Sequence, residues 1–279
     1  MHMFMVDETN RDYVEGHFFI VGGLVFTPEH ALAVDRAVSA RRAEFGYRPG
    51  DNFKFNTNER PAYVTPDQHR EVKRLVIADL KEIGVRMIVS VVLHDLCRDQ
   101  PYDTRMDWGL NTLAGAYRKL LVADRAHGIM LIDRDNDRFD HLEYLFQHGL
   151  RMFSGDHIRV HDRIKLFGMT NDNASNLSSA ADIALGAFRY CVNTAVGAGR
   201  EPVARVMFPD LAEVMWGVPV VGEQTDKQIA GYGYHARPKT QNITVPWHKE
   251  RYFSLAAALT KYSLDLIGQP QGETEPGQV

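Results

Sequence analysis

Residues 3–6 form a short apolar run that stops on Asp7, and this predicts a strand over 3–7. Residues 8–16 are polar, with Asn10 and Gly16 among them, and suit a turn. The next run, 17–26, is almost wholly apolar and carries the Gly22-Gly23 pair, which marks a bulge or a close backbone approach in a second strand. The two runs predict an antiparallel hairpin. Thr27-Pro28-Glu29 then reads as a helix start: a hydroxyl N-cap, proline where no N–H is needed, and acid in the first turn. That helix is expected to reach about residue 45, and 52–55 is a short extended piece. Thr65-Pro66-Asp67 repeats the start signal for a helix that Gly84 ends.

Further along, 85–93 is rich in β-branched and aliphatic residues and predicts a buried strand. An amphipathic helix is expected over 103–126, a strand over 128–133 ending on acid, a helix over 138–153, a strand over 163–169 and a helix over 177–196 with a serine-rich start. A hairpin followed by alternating strands and helices implies the α/β class, a mixed sheet covered by helices. After Gly197 the pattern loosens. Residues 198–250 are punctuated by Pro, Gly and polar positions, 251–266 suits a last helix, and 268–279 has the composition of a disordered tail. The expected division is a core domain over 1–197, a C-terminal extension over 198–267 packed on it, and the tail.

Composition narrows the function classes. A chain of 279 residues with 44% hydrophobic content can bury one large core. A net charge of -4 argues against gripping nucleic acid with the whole surface, so any such contact needs a local basic patch. The longest apolar run, 18–26, falls well short of the roughly 18 residues of a membrane span. The apolar opening is short and runs into Asp7-Glu8, so no signal peptide is expected. Cys97 and Cys191 make neither a disulfide framework nor a zinc finger, and the expectation is a reduced, cytoplasmic protein.

Three acids stand at telling places. Asp7 and Asp133 end apolar strands, where open α/β sheets present ligand crevices, and Asp182 shares a helix face with Ser178, Ser179 and Gly186. Gathered carboxylates repel one another, and Mg²⁺ or Mn²⁺ relieves that repulsion while keeping room for substrate phosphates. Glu8 and Asp135 are further ligand candidates. Lys54, flanked by Phe53 and Phe55, suits a phosphate contact, with its aromatic neighbours as anchors on the other face. A second constellation, Arg237, Lys239, Lys249 and Arg251 among Tyr232, Tyr234 and Trp247, has the mixture that holds a nucleic-acid backbone and stacks bases. Each has a plainer alternative: Asp7 opening a turn, Asp133 capping a helix, Asp182 in a salt bridge, Lys54 on an exposed edge, the basic stretch a solvated loop. His157 and His161 lie in a stretch that reads as extended and are not taken as ligands. Gly22-Gly23 lacks the context of a phosphate loop.

The segments MFMVDETN, FFIVGGLVF, FKF, IMLIDRD and SSAADIALGAFRY together resemble a prokaryotic and phage domain-of-unknown-function family grouped with the RNase H-like superfamily. The likeness spans about residues 3–196. It implies an RNase H-like mixed sheet and gives Asp7, Glu8, Lys54, Asp133 and Asp182 as the functional residues. Two departures stand out: Thr9-Asn10 where the family has Ser-Gly, and Ser179 where it has glutamine. The resulting expectation is a divalent-metal-dependent nuclease, in phage-defence or mobile-element biology by analogy. A non-catalytic binding protein on the same scaffold, or an enzyme on small phosphorylated metabolites, are the alternatives.

Overall fold

The computed structural model describes residues 1–134, 138–152, 155–171, 175–219 and 227–263. The strands are β1 (His2–Thr9), β2 (Phe18–Phe26), β3 (Arg86–Leu93), β4 (Gly128–Asp133), β5 (Leu150–Arg151), β6 (His157–Ile158), β7 (Ile164–Thr170), β8 (Val218–Pro219), β9 (Lys227–Gln228) and β10 (Tyr234–Arg237). The helices are α1 (Pro28–Glu44), α2 (Pro66–Ile83), α3 (Tyr102–Ala123), α4 (Phe139–His148), α5 (Asn176–Ala195), α6 (Glu201–Val214) and α7 (Pro246–Lys261). The chain is mixed α/β, as the alternation of apolar patterns predicts.

One sheet dominates, with strand order β10-β3-β2-β1-β4-β7, while β5 with β6 and β8 with β9 form small separate ribbons. β2 is antiparallel to both β1 and β3. β4 is parallel to β1, β7 to β4, and β10 to β3. Every strand of the large sheet except β2 therefore runs the same way, and their carboxyl ends share one edge. All nine residues of β2 are buried, which is why its run lacks polar alternation.

The period of two divides side chains between the faces. Met5, Ile20, Leu24, Val89 and Val91 pack under α1, α2, α5, α6 and α7. Phe4, Val6, Val21, Ile88, Met130 and Ile132 pack under α3 and α4. Local signals set the helices. Thr27 accepts from the His30 N–H, Thr65 and Gln68 form a capping box, and so do Ser175 and Ser178. Gly84 ends α2 at φ 81°.

The region after Gly197 is more ordered than its punctuation suggests. Residues 201–214 are helical, with Pro202 in the first turn where its missing N–H costs nothing. Ala204, Phe208 and Leu211 of α6 and Leu255 and Leu259 of α7 enter the larger core, and β10 adds an edge to the sheet. The helix expected over 138–153 ends at His148, because Gly149 takes φ 87°. Residues 264–279, which include the end of the expected last helix and the tail, lie outside the described residues. Among the described residues no helix is long and apolar enough to cross a membrane.

Three histidines are enclosed: His69, His94 and His235. Burial pushes their pKa values down to about 4, 4 and 3 respectively. His69 Nδ1 lies 2.5 Å from the Tyr47 hydroxyl, a bond the neutral ring can accept. In the unfolded chain each ring takes a proton near pH 6.5. Between that value and the folded pKa the unfolded state binds more protons, so stability falls as pH drops through the window. The urea midpoint is expected to fall steeply between about pH 6.5 and about pH 4. A flat midpoint across that range would contradict neutral burial.

Candidate functional site

The β1–β4 register runs from His2 opposite Gly128 to Val6 opposite Ile132. Asp7 and Asp133 are the next residues on the two strands, so they stand side by side at the carboxyl edge. Asp7 also faces Gly22 across β2, and Asp133 faces Thr170 on β7. Met5 and Leu131, two residues earlier on each strand, belong to the α5 side of the sheet. Asp7 and Asp133 therefore project to that side too, both half-buried. Neighbouring strands lie about 4.8 Å apart, within the span of one shared cation. Asp7 Oδ1 accepts the Glu8 N–H at 2.8 Å.

Asp182 comes from α5, which packs across β1 and β2 on the same face. Its Oδ2 accepts the backbone N–H of Phe55 at 2.5 Å. The small face of α5 explains how that segment comes so close. A Cβ on Gly186 would lie 2.3 Å from the Phe55 ring. On the other side of the same residue, Lys73 of α2 donates to the Phe55 carbonyl at 2.7 Å and sits 4.1 Å from its ring centroid. Burial lowers the Lys73 pKa to about 8, against the pull of Asp182 and with a further push from Arg189. Arg189, two turns beyond Asp182, has its guanidinium 5.8 Å from the Phe55 ring and donates to Thr9 Oγ1 at 3.1 Å. One turn further, Asn193 accepts from Asn10 Nδ2 at 2.9 Å. The stripe 182–186–189–193 thus ties α5 to the end of β1.

Lys54 immediately precedes the Phe55 peptide that Asp182 holds, and its Nζ lies 3.8 Å from Glu59 Oε2. Phe53 is fully buried, its ring 4.9 Å from Tyr47 and 6.5 Å from His69. Phe53 is buried, while Lys54 and Phe55 are each partly exposed. Among the described residues no three His, Cys, Asp or Glu side chains gather closely enough to hold a metal ion between them. Asp7 and Asp133 are neighbours at the strand ends, and Oδ2 of Asp182 is engaged by the Phe55 N–H.

Other sequence candidates fall elsewhere. β1 continues to Thr9, so Glu8 turns to the α3 side, where its side chain is 2% exposed and pairs with Arg11. Asp135 lies outside the described residues. Arg237 ends β10 at the same edge as the acids but on the α3 face, where its Nε donates to Thr112 Oγ1 at 3.3 Å and burial lowers its pKa. Lys239 is exposed, Lys249 lies near Phe253 on α7, and Arg251 lies against Gly16.

Sequence reasoning passed over Lys73 and Arg189. Both had a signal. Lys73 falls on the buried stripe of α2 with His69, Val72, Val76 and Leu80. Arg189 continues the spacing that begins with Ser178, Asp182 and Gly186. No protein-family model matches the chain, and neither a curated protein nor a solved structure matches it.

Proposed function

We propose that the chain is a divalent-metal-dependent phosphodiesterase of the RNase H-like kind, acting on nucleic acid. The observation that carries this is the Asp7–Asp133 pair, two carboxylates on adjacent parallel strands, on one face, at the carboxyl edge of the sheet. An opening antiparallel hairpin extended by strands parallel to β1 is the scaffold that the resemblance implies. The donor set fits a hard cation: Mg²⁺ is commonly bound by one or two carboxylates and substrate phosphates, with waters completing its shell.

Asp7 and Asp133 would hold the ion. When bound, Mg²⁺ or Mn²⁺ supplies Lewis-acid polarisation of a phosphoryl oxygen and acidifies a coordinated water. The remaining work belongs to the chain. Lys54 offers a positive charge to the phosphate being cleaved. Arg189 orders the end of β1 through Thr9. Lys239, Lys249 and Arg251 meet the flanking backbone as charges, so affinity should fall with salt. A role in phage defence or mobile elements rests on the resemblance alone.

The test is calorimetric titration with Mn²⁺, wild type against Asp133→Asn. Saturable heat in the wild type and its loss in the variant is the expected result. The same heat from both removes the metal reading. A second reading, a binding protein on the same scaffold, draws on the engagement of Asp182 with Phe55 and predicts no Mn²⁺ heat from either protein.

A further inference from the structure

The Phe55 peptide is gripped at both ends by side chains from two different helices. Asp182 of α5 takes its N–H at 2.5 Å. Lys73 of α2 takes its carbonyl at 2.7 Å and approaches Thr57 Oγ1 at 3.4 Å. The Phe55 ring fills the space that Gly186 leaves, and the Lys73 ammonium and Arg189 guanidinium both face it. Burying an ammonium is costly unless it is paired and hydrogen-bonded, and here the bonds go to one short stretch of loop. What the anchor determines is the place of the residue between Phe53 and Phe55. Phe53 is fixed in its aromatic pocket and Phe55 by the two charged groups, so the Lys54 backbone is held from both sides. The side chain of Lys54 keeps 22% of its surface exposed.

We infer that Lys73 and Asp182 are positioning residues which clamp the backbone of Phe55, at its carbonyl and its N–H, and thereby place Lys54 for contact with substrate phosphate, a role that rests on the function proposed above. Asp182 then acts through the loop and not as a ligand of the cation. The sequence reading that grouped Asp182 with Asp7 and Asp133 is reinterpreted: the acid belongs to the same site but to a different task.

Two measurements test the clamp, one independent of catalysis. Lys73→Met removes the ammonium and keeps the apolar stem. Amide hydrogen exchange over 53–57 should accelerate by on the order of tenfold, the effect of losing a charge-assisted hydrogen bond, while α5 keeps its protection. Asp182→Asn, which retains an acceptor but loses the charge, should give a smaller acceleration and serves if Lys73→Met fails to fold. The second measurement is a cycle on Mn²⁺-dependent cleavage with Lys54→Ala, Lys73→Met and the double variant. Because Lys73 acts through Lys54, its loss should cost nothing further once Lys54 is gone. Unchanged exchange over 53–57, or losses that multiply in the double variant, overturns the clamp. Absence of cleavage in the wild type fails the proposed function instead, and exchange alone then decides the clamp.

Discussion

Gly23→Ala is expected to cost more than about 4 kcal/mol, a large part of the roughly 5–15 kcal/mol that holds a domain folded. A Cβ at this position would lie 1.7 Å from the Met5 carbonyl oxygen and 2.7 Å from the carbonyl carbon. Neither atom has room to yield. Met5 is paired on one side with Leu24 of β2 and on the other with Leu131 of β4. Any displacement of β1 therefore disturbs three strands and the row that carries Asp7 and Asp133. Gly115→Ala on α3 is the contrast: its Cβ would meet only the Leu150 Cδ1 at 3.2 Å, the end of a flexible side chain. Urea unfolding of the two variants decides the matter, and a wild-type midpoint for Gly23→Ala would refute the close approach.

The second large effect is catalytic. Asp133→Asn should lower Mn²⁺-dependent cleavage by on the order of a thousandfold, about 4 kcal/mol of barrier, with the thermal midpoint nearly unchanged. The substitution is isosteric and takes away one of two neighbouring like charges, whose repulsion the fold otherwise bears. What it removes is one negative charge of two, and a hard cation bound by so few protein ligands cannot spare it. Asp7→Asn should behave alike, and the double variant should be scarcely worse than either single one, because the pair acts as a unit. Single-turnover cleavage of a labelled oligonucleotide measures all three. Near-wild-type cleavage by Asp133→Asn would sink the assignment of this residue.

Five of the six strands of the large sheet and most helices were legible because their physical causes are local, while β10 and the two short ribbons carry too few residues to show a pattern. β2 announces itself as an unbroken apolar run, and Thr27, Thr65 and Ser175 announce helix starts by their caps. The face of Asp7 was legible from the period of two once β1 was recognised. Its side-by-side placement with Asp133 was not, because that depends on which strand docks beside β1, a choice made by distant packing. Lys73 and Asp182 show the same limit. Each could be placed on a helix face, yet their shared hold on Phe55 arises only when α2 and α5 meet across the loop. α6 was hidden by Pro202, a residue that punctuates loops and starts helices equally well.

The pairing of β10 with β3 has a consequence for biosynthesis. β3 is almost entirely buried and its outer edge is covered by a strand encoded some 140 residues later. A ribosome adding about 5–20 residues per second makes that strand only after roughly 7–28 s. During that interval the nascent chain presents the Val89–Val92 edge unpaired, the kind of surface on which newly made chains stick to one another.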